Sequence, residues 1–141
     1  MDRLKKLWRF FTSRETLLYI VFGVLTTAIN WAVYFVLTDL VKMDVSLAYF
    51  IAWAAAVAAA FVTNKKYVFM SGTRQWKALL FEVGTFVGGR VLTLLIGEIL
   101  TTVFVGRLGQ SNLLWKFITT VIEVAGNWLI SKFVTFKKKA D

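Results

Sequence analysis

Residues 81–100 read FEVGTFVGGRVLTLLIGEIL, and apart from Glu82, Arg90 and Glu98 every position is apolar, glycine or threonine. An α-helix rising about 1.5 Å per residue needs about 20 such residues to cross the hydrocarbon core of a bilayer. A soluble helix of this length would set a charged face against an apolar one; here three charges stand isolated in an apolar run. The segment therefore reads as the heart of a transmembrane helix. Its arginine has to be compensated, because even the lowest insertion scales put a central Arg at ~2.5–3.5 kcal/mol.

Outward from this stretch, three more apolar segments follow the same rule, giving expected transmembrane helices over about 17–38, 45–63, 79–105 and 113–131. The chain is 58% hydrophobic, against the ~45–50% of soluble domains. The expectation is a single all-α integral membrane domain of four helices. The length of the third span calls for tilt or an interfacial end. The first span ends in no small-residue cleavage site and is expected to be retained. Proline, cysteine and histidine are absent. Disulfides, Cys/His metal sites and His-based acid–base chemistry are thus excluded, and no catalytic residue, metal or cofactor is expected. The net charge of +9 lies beside apolar runs, which argues for topology and against nucleic acid.

Lysine and arginine set the orientation. Thirteen cluster in a basic arm over 1–16, in the middle loop (Lys65, Lys66, Arg74, Lys77) and in a basic tail over 132–141 (Lys132, Lys137, Lys138, Lys139). Only Lys42, Arg107 and Lys116 flank the other two loops. Both termini and the middle loop are therefore expected in the cytoplasm. Within the arm, Leu4, Leu7, Trp8 and Phe11 recur at helical spacing among cations, as in a helix lying on anionic lipid; a simple topogenic charge cluster is the alternative.

The chain also repeats. FVTNKKYVF at 61–69 matches WLISKFVTF at 128–136 as the exits of the second and fourth helices, which predicts two parallel-repeat hairpins related by an axis along the membrane normal.

Arg90 needs a partner. Glu82 and Glu98 lie about two turns away on its own helix, and Glu123, near the middle of the fourth, is expected at similar depth; an Arg90–Glu123 pair is the favoured arrangement. Glu123 also belongs to a polar stripe of Lys116, Thr120, Asn127 and Ser131, echoed on the first helix by Thr26 or Thr27, Asn30 and Tyr34. These stripes would line a hydrophilic groove, or glue helices together, the reading preferred for the threonines. Ala52, Ala56 and Ala60, and the pair Gly84 and Gly88, would allow close helix–helix or subunit contact in a dimer or higher homo-oligomer. Lys65, Lys66 and Lys132 would snorkel at the boundary and fix topology, or meet a lipid phosphate at that depth together with Arg90.

Two exits carry a resemblance. Phe61, Asn64, Lys65, Lys66 and Phe69 after helix two, and Asn127, Trp128, Ser131, Lys132 and Phe136 after helix four, make the chain similar to the GtrA-like family. Tyr19, Phe22, Gly23, Thr26 and Asn30 also match its first helix, and FEVGTFVGGR is like the arginine-bearing helix of the teichoic-acid glycosylation members. One departure separates the halves: Ala60 stands where the second exit has Asn127.

The resemblance implies translocation of a polyprenyl-phosphate-linked monosaccharide from the cytoplasmic to the outer leaflet of the bacterial cytoplasmic membrane. It also implies membrane glycosyltransferases as partners, besides the lipid itself. Arg90 would hold the phosphate, Glu123 would neutralise it in the empty groove, and Asn30 and Asn127 would meet sugar hydroxyls, with Glu82, Glu98, Asn64 and Ser131 completing the polar lining. The alternatives are a small proton-coupled exporter using Glu123, and a non-transporting scaffold for a glycosyltransferase. An enzyme is disfavoured, since no nucleophile–base pair or metal set is present.

Overall fold

A computed structural model describes residues 1–137; the last part of the basic tail, with Lys138 and Lys139, lies outside the described residues. The described chain is helical. Helix α1 (Asp2–Phe11) is followed by α2 (Arg14–Phe35), α3 (Val45–Thr63), α4 (Trp76–Thr101) and α5 (Asn112–Ile130). Each of the last four runs on into a wider π-helical end, so the continuous spans are Arg14–Leu40, Val45–Val68, Trp76–Arg107 and Asn112–Thr135, all long and apolar enough to cross a membrane. The third covers 32 residues, about 48 Å of helix against a core of about 30 Å, so it has to tilt or to emerge.

Local chemistry sets these boundaries. The side chains of Ser13, Asp44 and Ser111 accept hydrogen bonds from the amides of Thr16, Leu47 and Leu114, each capping the start of a helix, a contact worth about 1 kcal/mol. The far ends share another device. The amides of Val41, Phe69, Leu108 and Phe136 bond to carbonyls five residues back. Three of the four then wrap through a left-handed residue, Lys42 (φ 59°), Met70 (φ 49°) or Gly109 (φ 64°). The next amide in turn reaches six residues back, Met43 to Leu37, Ser71 to Lys65 and Gln110 to Phe104. Carbonyls that a simple helix end would leave open are satisfied this way.

The chain divides into two compact units, Met1–Gly72 with α1 to α3, and a second from Thr73 onward with α4 and α5. Each is a helical hairpin, and the two repeat. Second-unit residues stand 67 positions after their counterparts: cap Asp44 to Ser111, left-handed Lys42 to Gly109, helix-exit Asn64 to Ser131 and buried Phe69 to Phe136.

In the first unit the α2–α3 hairpin includes a stack of Phe22 on Tyr67 (5.5 Å, 19°), and Ala48, Ala52 and Ala60 are buried on one side of α3. In the second, α4 and α5 approach through small residues. A β-carbon on Gly89 would come within 2.8 Å of Ile130 Cγ2, and one on Gly126 within 2.9 Å of Thr93 Cγ2. Gly84 and Gly88 do not make this contact: a β-carbon there would meet nothing among the described residues. The pair lies on an open face of α4, while Gly89 and Gly97 face α5.

Candidate functional site

The second hairpin carries the buried charge. Its register is fixed by four pairings along α4 and α5: Thr85 with Thr135 (hydroxyls 3.0 Å apart), Gly89 with Ile130, Thr93 with Asn127 (Oγ1 to Oδ1, 3.0 Å) and Gly97 with Glu123. Arg90 therefore lies level with Ile130, and Glu123 lies level with Gly97.

This register corrects the expected Arg90–Glu123 pair, because Glu123 forms no ion pair among the described residues. A helical side chain leans toward the helix N-terminus, and Arg90 does so. Its guanidinium carbon sits 3.5 Å from the centroid of the Phe86 ring, with Nη1 3.5 Å from the Phe86 carbonyl oxygen. The Glu123 carboxylate instead packs on Gly97, seven residues in the other direction, about 10 Å along the helix axis. Equal depth inferred from span midpoints fails because α4 extends further at its start than α5 does at its end.

Arg90 is consequently held by an aromatic shelf. Phe86 is 1% exposed and packs on Phe136 with ring centroids 5.8 Å apart; Phe136 is itself buried and its amide bonds to the Ser131 carbonyl. A guanidinium over an aromatic face gains a cation–π attraction of up to about 2 kcal/mol where water is excluded. One turn before Phe86 stands Glu82, 5% exposed, so Glu82, Phe86 and Arg90 share one face of α4 at four-residue steps. Thr93 has its hydroxyl 3.0 Å from Asn127 Oδ1 and 3.1 Å from the Arg90 carbonyl, tying α5 to the same segment. Lys132 stands at the exit of α5, its Nζ 4.8 Å from the centre of the Trp128 ring.

The expected polar stripe on α5 turns inward only over its second half. Glu123 and Asn127 are half-buried and Ser131 is buried, but Lys116 and Thr120 are exposed, and the Thr120 hydroxyl bonds back to the Lys116 carbonyl. Thr26 and Thr27 are likewise not interhelical glue: both donate to the Gly23 carbonyl of their own helix. Glu98 is exposed.

The other expected residues belong to the first unit. Asn64 is buried at the exit of α3, donating from Nδ2 to the Ala60 carbonyl (2.6 Å). Lys65 Nζ lies 3.2 Å from the Ser71 hydroxyl, and exposed Lys66 extends over Tyr67 (5.2 Å). Asn30 is half-buried on α2 beside a recess of aromatic side chains. Residues that sequence reasoning missed are Phe86, Thr93, Gly97 and Phe136. Phe86 carried a signal, its place four residues before Arg90. The others follow only from the register.

Comparisons with known proteins agree on one family. The model of the GtrA/DPMS transmembrane domain matches residues 18–136. The chain is 35% identical to the cell wall teichoic acid glycosylation protein GtcA of Listeria innocua, over 97% of this chain and 98% of that protein. It is 40% identical to the GtcA of Listeria monocytogenes serovar 1/2a, over 87% of this chain and 85% of the relative. It is 35% identical to the membrane protein YwcD of Bacillus subtilis, over 88% and 98%. No solved structure matches the chain. Four membrane-length helices, a family match running from the first of them to the end of the last, and full-length relatives together mean that the chain is a multi-pass membrane protein belonging to the GtrA/DPMS transmembrane domain family.

Proposed function

We propose that the protein acts in cell-wall glycosylation by moving a polyprenyl-phosphate-linked monosaccharide from the cytoplasmic to the outer leaflet, for transfer to teichoic acid or a related surface polymer. Its termini and the loop between α3 and α4 face the cytoplasm in this reading, as the distribution of lysine and arginine favours. Relatives named for teichoic acid glycosylation support the process, and the four spans support a membrane-embedded step in it.

The observation that carries the molecular reading is the Arg90 guanidinium 3.5 Å from the centre of the Phe86 ring within a transmembrane helix. A polar headgroup crossing hydrocarbon needs a fixed cation for its phosphate. Arginine stacks through its π face and recognises phosphate through its edge, so the two contacts are compatible. Asn127, Ser131 and Lys132 lie along the same end of the second hairpin and would meet the remaining polar atoms, with Lys65 and Lys66 serving the boundary. Glu123 is not the counter-charge of Arg90 in this scheme; Glu82, on the arginine's own face, is the carboxylate suited to it.

The test is complementation. In a bacterium whose wall teichoic acid glycosylation depends on a relative of this protein, the native chain should restore surface glycosylation. Arg90→Lys, which keeps the charge but not the planar fork, should restore at least about tenfold less. If Arg90→Ala, inserted to the native level, restores glycosylation fully, the scaffold role takes over. One observation favours the proton-coupled exporter: Glu123 is not engaged by Arg90 and so is open to protonation chemistry. That reading expects drug efflux lost in Glu123→Gln and indifferent to Phe86.

A further inference from the structure

In the half of the first hairpin nearer its loop, Asn30, Trp31, Tyr34 and Phe35 of α2 and Tyr49 of α3 surround a recess of about 340 Å³. That volume is at the small end of the ~300–1,000 Å³ typical of ligand sites and has room for one hexopyranose ring. Four aromatic walls and one amide are the two elements that a sugar requires. Its C–H faces stack on aromatic rings, and its hydroxyls need a group that both donates and accepts, as a carboxamide does. The Tyr34 and Phe35 rings are edge to face, with centroids 5.6 Å apart, a packing that limits their movement.

Asn30 supplies an independent observation. Its carboxamide has no hydrogen-bond partner among the described residues. It also sits well inside the span, about 15 Å along the helix from the end of the π-helical turn at Leu40. An unsatisfied amide at that depth is costly, so the site calls for a polar occupant. An interfacial aromatic belt would account for Trp31 and Phe35 but not for an amide at the edge of a concavity.

The geometry points to a monosaccharide-binding recess on the first hairpin, in which the sugar ring lies against Trp31 and Tyr34 and its hydroxyls bond to Asn30. This rests on the translocation reading and gives the first unit a task of its own: selecting the sugar in the charge-poor, outward half of the hairpin, where Lys42 is the single cation of the loop.

A short water-soluble prenyl phosphate, with and without a single glucose, galactose or N-acetylglucosamine, tests it by binding to the full-length protein in nanodiscs. The native protein should bind the best glycosylated probe about tenfold more tightly than the bare prenyl phosphate. Asn30→Leu and Trp31→Leu should each bring that ratio toward one, while Arg90→Ala should weaken both probes and keep the ratio. Two independent recess variants, each checked for a monodisperse profile, guard against misfolding. If the ratio is one in the native protein, or survives both recess variants, the recess is a lipid-facing feature and the proposal falls alone. If the native protein binds neither probe, the translocation reading fails and the recess falls with it.

Discussion

Gly97 and Glu123 fit each other at the scale of single atoms. A β-carbon on Gly97 would lie 2.5 Å from Glu123 Oε1 and 3.7 Å from Thr119 Cβ, so the hydrogen of glycine makes the room that the carboxylate fills. The atom in the way is the far end of a flexible side chain, which can swing aside, so Gly97→Ala should cost the purified protein less than about 1 kcal/mol. Glu123→Ala in the same chain should recover most of that loss, a non-additivity that thermal unfolding of the two single variants and the double variant would read. Thr93→Val, which breaks the 3.0 Å contact with Asn127, should cost only about 0.6 kcal/mol, the average for an interhelical hydrogen bond in a membrane. Phe86→Leu should weaken function more than stability, since it keeps an apolar side chain, at the cost of a small cavity, but removes the ring on which Arg90 rests; parallel glycosylation and unfolding measurements check this.

The helices themselves were legible in the sequence, because span length and hydropathy are direct consequences of bilayer thickness. Their ends were not. Each of the four spans ends in a π-helical turn, which carries the helix beyond its apolar stretch into Lys65 and Lys66 after α3 and Lys132 after α5. No composition rule marks that event, and at three of the four ends a left-handed residue follows it. Such a residue is costly for side chains other than glycine by about 1–2 kcal/mol. Gly109→Val should accordingly destabilise the second hairpin by about that amount, whereas Lys42→Gly should be neutral or slightly stabilising at the matching position. Unfolding curves of the two variants, run side by side, would reverse that order if the left-handed turns were not maintained in the membrane. The Arg90–Glu123 pairing was misjudged for a related reason. Sequence gives the midpoint of a span, but the register of α4 on α5 is set by Gly89, Gly97 and Gly126, whose contacts no pattern reveals.

Across the molecule the repeat was readable from the two helix exits alone, and it extends through caps, turns and buried positions at a constant spacing of 67. Its asymmetry is the informative part. Arg90 corresponds to Gly23 and Glu123 to Ala56, so the ionisable groups well inside the spans collect in the second hairpin, while the first holds small residues at those positions and aromatics around Asn30. In the proposed function this asymmetry gives the charged half the phosphate and the aromatic half the sugar. Leaflet exchange of a labelled polyprenyl-phosphate sugar in proteoliposomes, native protein against a folded Arg90→Ala variant, puts this account at risk. The account predicts that the native protein equilibrates the lipid between leaflets and that the variant slows exchange by at least about tenfold, the loss of a charge-assisted phosphate contact. Exchange that is absent with the native protein, or equally fast without the arginine, would contradict it.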